Sequence, residues 1–284
     1  MVLNNISANI EKRLRKWSIQ GKFSLFIIML YIIVAVFAPY ISIYPHDISS
    51  APPLIPPGGK HFMGTDELGY DLWSQIAYGA RISLLIGSLT SILSVIIGSI
   101  IGSLSGYLGG WIDKLIMRLV DIMISIPELP LIILLATFLG PSLINIVIVL
   151  VIFSWTRTAR IVRAQVMVLK NMNYVTSART YGASAGYLLR VHFLKELFPV
   201  LAINAVRLVS KAIIAEASLS FLGLGDPTSK SWGLILNHAL GFSGIYHTDF
   251  WKWWVVFPWL AISLLVISLA FITRDIEKLC DPNL

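Results

Sequence analysis

The chain has little charge, almost no cysteine and no paired histidines, and each shortage removes a class of protein. Charged residues make up 13% of its 284 positions, against roughly 25% in an ordinary soluble domain. So few charges cannot clothe a soluble fold in which 56% of the residues are hydrophobic, and a disordered chain would not carry so many apolar residues. The single cysteine, Cys280, excludes an internal disulfide and a cysteine-based zinc cluster. The five histidines, His46, His61, His192, His238 and His247, never stand four apart on a helix, so no metal site is indicated. There is no G-x-x-x-x-G-K-[ST] loop, which excludes nucleotide binding by that route. No intramembrane serine has a histidine or lysine base in its neighbourhood, so helix packing explains these hydroxyls better than catalysis does. What remains is a mean hydropathy of +0.78: a polytopic, all-α membrane protein.

A helix needs about 20 mostly apolar residues to cross the hydrocarbon core. The first such stretch, 23–44, follows a basic start containing Lys12, Arg13, Arg15 and Lys16. Its apolar region is too long for a signal peptide, and Pro39 stands where small residues would mark cleavage, so it reads as an uncleaved anchor. The second span, 82–104, is rich in Gly and Ser. The third, 115–139, is interrupted by Asp121 and the run Pro127-Glu128-Leu129-Pro130. The fourth, 142–155, is short and begins at a Gly140–Pro141 turn. The fifth covers 199–221 and the sixth 253–271, with Trp251, Trp253 and Trp254 as an interfacial belt. Six spans are expected.

The formal charge of +7 is a topology signal before it is anything else. With the N-terminus inside, the inner segments 1–22, 105–118, 156–198 and 272–284 hold sixteen lysines and arginines. The outer segments hold four, Lys60, Arg81, Lys230 and Lys252. By the positive-inside rule both termini are cytoplasmic, and the basic surplus gives no ground for a nucleic-acid partner. This gives a cytoplasmic segment 1–22, an anchor helix 23–44, an extracellular loop 45–80 and a five-helix core 81–284. Within the core, the inner loop 156–198 carries seven basic residues against one acid, Glu196. It reads as short surface helices, either resting on anionic headgroups or forming a docking knob for a cytoplasmic protein.

Charges in lipid are expensive, so Asp121, Glu128 and Glu216 require partners. They are either an ion or proton relay, as in an ion-coupled secondary transporter, or acids paired with Arg118, Arg207 or Lys211. Gly98, Gly102, Pro127 and Pro130 mark bends or tight packing with equal justification.

Three runs carry a resemblance. The inner loop contains Tyr174-Val175-Thr176-Ser177-Ala178-Arg179-Thr180-Tyr181-Gly182-Ala183-Ser184, followed by Phe198-Pro199. It resembles the "EAA" loop of binding-protein-dependent ABC importer permeases, with Gly182 at the central glycine, Ala178 at the second alanine and Pro199 at the proline opening the next span. Before the second span, His61-Phe62-Met63-Gly64-Thr65-Asp66-Glu67-Leu68-Gly69-Tyr70-Asp71 resembles the G-T-D-x-x-G-R-D pattern of the dipeptide/oligopeptide branch. After the fifth, Glu216-Ala217-Ser218-Leu219-Ser220-Phe221-Leu222-Gly223-Leu224-Gly225, then Ser231-Trp232-Gly233, resembles its E-A-S-L-S-F-L-G-L-G…S-W-G almost letter for letter. The tail Arg274-Asp275…Asp281-Pro282 resembles the branch's R-D-x-x-D-P ending. Three positions depart from the patterns. Thr176 and Ser177 stand for the usual Glu and first Ala, and Tyr70 stands for the usual Arg.

The resemblance implies a type I ABC importer permease fold with a cytoplasmic coupling helix. It implies a paralogous second permease, cytoplasmic ABC ATPases that bind ATP and Mg, and an extracellular solute-binding protein. The chain itself would be no enzyme and would bind no cofactor. It would form half of a di/oligopeptide path working by alternating access, with the loop around Ala178–Gly182 taking up the ATPase movement. Oligosaccharides and metal chelates remain alternative cargoes. The outer runs, Gly64–Asp71 and Gly223–Gly233, either position an outer gate and meet the binding protein or only cap their helices.

Overall fold

The computed structural model of the chain describes residues 17–280. The basic start (Lys12, Arg13, Arg15, Lys16) and the Asp281–Pro282 end of the tail lie outside the described residues. Among these, apart from one isolated bridge between Thr65 and Asp71, the regular structure is helical. Helix α1 is Ile19–Ile41, α2 Leu72–Leu108, α3 Gly110–Ser125, α4 Glu128–Leu139 and α5 Leu143–Leu169. The short α6, Asn173–Thr180, precedes α7, Ala185–Phe221, which contains a π-helical turn at Leu188–Phe193. Helix α8 is Trp232–Gly241. A single turn, Trp251–Trp254, leads into α9, Val256–Cys280.

Five of these helices are long and apolar enough to cross a membrane, and the pair α3/α4, bent by 89°, makes a sixth if it counts as one span. The bend has a local cause. A residue before proline is pushed out of the helical region, and Ile126, before Pro127, sits at φ −79°, ψ 135°.

Helix runs further than apolarity indicates. The stretch 72–80, read from the sequence as loop, belongs to α2, because Asp71 caps it. Most of 156–198 is likewise helical: α5 continues to Leu169 and α7 already begins at Ala185. Pro199 therefore lies inside a helix and does not open one. Hydropathy locates the part of a helix that meets lipid; basic residues end that signal while good helix formers carry the backbone onward.

The described residues divide into two compact units, one of the chain before Ser88 and after Leu208, the other of Ser88–Leu208. In the first unit α1 packs along α9. Ser18 caps α1 by accepting from the Gly21 N–H at 3.0 Å, and its own N–H and hydroxyl donate to the buried Asp275 carboxylate at 2.9 and 2.8 Å. A carboxylate at a helix N-terminus is also favoured by the helix dipole. Trp232 is fully buried; its indole N–H donates to the Ile76 carbonyl at 3.0 Å, and Tyr31 meets it edge-on.

In the second unit a glycine stripe on α2 brings two backbones together. A Cβ on Gly98 would lie 2.7 Å from the Trp155 carbonyl, and one on Gly106 would lie 2.8 Å from the Arg163 carbonyl. At Gly102 between them the obstruction is the Ala159 backbone. Spaced four apart, these glycines form one face of α2, and on that face the packing alternative for Gly98 and Gly102 holds. Gly102→Val should force α2 from α5 at a cost of about 1–3 kcal/mol, read as a lower melting temperature of the purified protein. Gly241→Ala, where an added Cβ meets nothing, is the control. Equal melting temperatures for the two variants would contradict the close approach.

Candidate functional site

The inner-loop residues cluster around α6 in the second unit. Val175 is fully buried and belongs to an apolar cluster with Val162, Val166, Leu188, Phe193 and Leu197, against which Ala178 and Ala183 also pack. One small helix is thereby fastened to the ends of α5 and α7. The Arg179 guanidinium lies 4.8 Å above the Tyr107 ring, a cation–π contact. Gly182 ends α6 at φ +87°. Its N–H donates to the Arg179 carbonyl at 2.9 Å, and that of Ala183 donates to the Ala178 carbonyl at 3.0 Å, the Schellman pattern that calls for glycine. Ser184 then caps α7, accepting from the Tyr187 N–H. Facing away from the cluster, Tyr174, Thr176, Ser177 and Tyr181 are exposed; Tyr181 is 91% exposed. Thr176 donates only to the Met172 carbonyl of its own helix, at 3.3 Å.

The outer-loop residues are interior, in the first unit. Asp66 accepts from the N–H groups of Leu68 and Tyr70, both at 2.9 Å, and from the Gln75 amide at 2.7 Å. Asp71 caps α2 through the Ser74 N–H and hydroxyl, both at 2.9 Å, and lies 2.9 Å from His61 Nδ1. Thr65 accepts from the Ile55 N–H and donates to the Pro52 carbonyl, which ties down the proline-rich stretch. Gly64 and Gly69 have φ of +81° and +78°. A Cβ on Gly64 would stand 2.6 Å from the Ile55 carbonyl.

Trp253 and Trp254 are a correction to the interfacial-belt reading. Both are buried, and the Trp253 indole donates to the Thr65 carbonyl at 3.3 Å. Trp251 is half-exposed.

The Glu216 run lies in the same unit. Glu216 is fully buried, and hydroxyls hold it: Ser220 donates at 2.7 Å and Ser83 at 3.4 Å, with Ser231 within reach as well. Gly223, at φ +79°, closes α7 with a second Schellman pair, Gly223 to Ser220 and Leu224 to Leu219. Phe221 is exposed. Gly225 and Gly233 sit where a Cβ would strike Ser220 and the Ala217 backbone. Next to Trp232, Lys230 places its ammonium 4.5 Å from the centre of the Tyr70 ring. That contact explains Tyr70: an arginine there would set two cations together, whereas a tyrosine ring receives the lysine.

The acids find partners that sequence reasoning missed. Asp121 pairs with Arg160, Arg157 lies 4.0 Å from Glu128, and Arg163 grips Asp113 at 2.5 and 2.6 Å. Arginines 157, 160 and 163 stand three apart, the spacing of one helix face. Because the apolar run ends at Trp155, these arginines read as part of short surface helices, and their pairing across α5 is hidden.

Among the described residues, helices long and apolar enough to cross a membrane stand with one short exposed helix, α6. Residues 95–284 match the family of binding-protein-dependent transport system inner membrane components, and the chain belongs to that family. It is a multi-pass membrane permease subunit of an ABC importer, and ATP hydrolysis belongs to a separate subunit. Family members work with an ATPase and a substrate-binding protein. The chain is 35% identical over 264 residues to the dipeptide transport system permease protein DppC of Bacillus subtilis (strain 168), covering 92% of this chain and 81% of that protein. It is 40% identical over 266 residues to the Escherichia coli (strain K12) dipeptide transport system permease protein DppC, covering 90% and 87%. It is 36% identical over 273 residues to the probable D,D-dipeptide transport system permease protein DdpC of the same strain, covering 94% and 90%.

Outside the spans, burial lowers the titration of both Lys230 and His46. His46 stacks on Tyr78 at 3.7 Å, and burial pushes its pKa below the ordinary 6.5 against the pull of Asp47, with Lys230 and Arg81 lowering it further. The unfolded chain therefore binds more protons than the folded one as pH falls below 6.5, and stability drops through that range. Relative to His46→Gln, the wild type should lose melting temperature between about pH 8 and about pH 5. A difference independent of pH would contradict the buried, stacked ring.

Proposed function

We propose that this chain is one of two different permease subunits of an ATP-driven importer of di- and oligopeptides. The observation that carries the reading is identity of 35–40% to dipeptide permeases over nine-tenths of the chain. Both termini lie in the cytoplasm, as the basic bias of the 156–198 and terminal segments supports. There α6 docks on a partner ATPase that binds ATP and Mg, while the Gly64–Asp71 and Gly223–Gly233 segments stand on the outer side towards the binding protein.

Coupling follows from α6. The buried Val175 fixes the short helix to α5 and α7, and Arg179, stacked on Tyr107, fixes it to the end of α2, so a push on its exposed face is delivered to several long helices at once. Thr176 and Ser177 lie on that exposed face, and Thr176 offers the ATPase a hydroxyl where the family pattern has a carboxylate. Nucleotide drives the change only by favouring one arrangement of these helices over the other.

Two measurements test this. Reconstituted with its partner subunits and binding protein, the importer should accumulate dipeptides in vesicles when ATP is supplied; accumulation only of oligosaccharides or metal chelates would replace the cargo, and uptake that follows an ion gradient without ATP would overturn the class. Gly182→Pro cannot adopt φ +87° and removes the N–H that closes α6. It should leave membrane insertion intact, keep ATP hydrolysis and abolish transport. Normal transport by that variant would sink the coupling role of α6.

A further inference from the structure

Helix α3 is too short to cross a membrane alone. Its 16 residues reach about 24 Å, against a hydrocarbon core of about 30 Å, and the 89° bend keeps the length of α4 from adding to it. Its direction is fixed within the second unit. A three-residue turn, 140–142, folds α4 back on α5, so those two helices pack as an antiparallel hairpin. Bent at right angles to α4, α3 therefore lies across α5. The ion pairs record the same crossing. From Asp113 to Asp121 α3 advances eight residues, about 12 Å, while their partners Arg163 and Arg160 stand only three apart on α5, about 4.5 Å. Since α5 is long and apolar enough to cross a membrane, a helix lying across it runs along the membrane plane.

The two faces of α3 differ. On one, Arg163 grips Asp113, and Val120 is fully buried with Trp155 and Ala159, with Met117 and Ile124 packed on that cluster. The opposite face carries Trp111, Leu115, Leu119 and Ile122, all exposed, Trp111 by 72%. Lys114 and Arg118, one turn apart and exposed, stand on the same side. Arg118 is three residues from Leu115 and four from Ile122, the spacing of one helix face. Among the described residues neither cation has an ion-pair partner, since Asp113 and Asp121 are taken by Arg163 and Arg160. Were α3 upright in the bilayer, that unpaired guanidinium would stand among acyl chains, where charge is expensive. Lying flat, the helix lets the long basic side chains reach up to the phosphates while the tryptophan and leucines sink below them.

We propose that α3 lies in the membrane interface and binds anionic phospholipid headgroups, with Lys114 and Arg118 on phosphate oxygens and Trp111, Leu115 and Ile122 among the upper acyl segments. Charge complementarity selects this occupant: the exposed face offers two cations, and its acid, Asp121, is already paired with Arg160. The guanidinium forks onto a phosphate and the ammonium meets it as a point charge. The site is independent of the cargo that the importer carries. Its position gives it a use. Ser105 of α2 and Arg163 of α5 both hold Asp113, and the same ends of α2 and α5 carry the α6 cluster through Tyr107, Val162 and Val166. A headgroup-held α3 therefore steadies the support against which α6 is pushed.

The test uses the complete complex of this chain with its partner subunits, in nanodiscs of equal phosphatidylcholine and phosphatidylglycerol. With Leu115→p-benzoyl-phenylalanine, illumination should attach lipid. Mass spectrometry of the adducts should find phosphatidylglycerol in about tenfold excess, each cation near an anionic headgroup being worth about fivefold. Lys114→Gln combined with Arg118→Gln should return the ratio to about one while lipid is still captured, which shows the helix in place. Capture of a permease or ATPase peptide instead of lipid, an even lipid ratio with both cations present, or an excess that survives both glutamines would each overturn the proposal. Spin labels attached through Trp111→Cys or Ile122→Cys, each with Cys280→Ser, read the orientation separately. An upright α3 would separate the two depths by about 16 Å; a flat one should hold them at nearly one depth. A separation above about 8 Å would overturn the flat placement.

Discussion

A peptide group or a charge at membrane depth has no water to bond with, and the protein must satisfy it. Much of this structure answers that requirement. Long helices satisfy their own backbones, as α2 and α7 do over 37 residues each. Where helices must come close, the glycine stripe Gly98–Gly102–Gly106 lets α2 lie against the α5 backbone. In lipid this contact is driven by packing, since the tails outside are as apolar as the side chains within. Where helices must end, glycines at positive φ redirect the last N–H groups onto orphan carbonyls, as at Gly182 and Gly223.

Charge is handled in two ways. Glu216 is sealed among serine hydroxyls with no exposure, which suits a fixed joint between α7, α2 and the cap of α8. The arginines of α5 instead meet carboxylates on α3 and α4, Arg163 through two short bonds and Arg157 at 4.0 Å. The first arrangement seals one carboxylate among hydroxyls; the second ties α5 to α3 and α4 by charge. The loop before α2 follows the same principle, since Asp66 and Asp71 organise their surroundings by accepting from backbone N–H groups.

Apolar runs made the helical class and the number of spans legible, and the three motif runs indicated the family. Helix length was not legible, because the hydropathy of α5 stops at the basic residues after Trp155 while the backbone goes on to Leu169. That misreading also concealed Arg157 and Arg160 as the partners of Glu128 and Asp121. Partner choice across helices depends on rotation about each axis, which hydropathy does not record. Gly223 as a helix-ending glycine is readable from its place after an apolar run, and so is capping by the Gly64–Asp71 run, which Asp71 performs. The burial of Trp253 was not readable, because a tryptophan near a span end has the same local pattern whether it faces headgroups or the Thr65 carbonyl.

The bond between Ser18 and Asp275 spans 257 residues of chain. One compact unit is thus assembled from the two ends of the described chain, whereas the other, Ser88–Leu208, is continuous. On a ribosome the continuous unit is complete as soon as its last helix emerges. The anchor helix, inserted first, must wait in the bilayer with Gly21 and Tyr31 uncovered until α9 arrives. Biogenesis therefore has an order imposed by connectivity, and a chain cut short before Asp275 has one unit complete and the other without its closing bond.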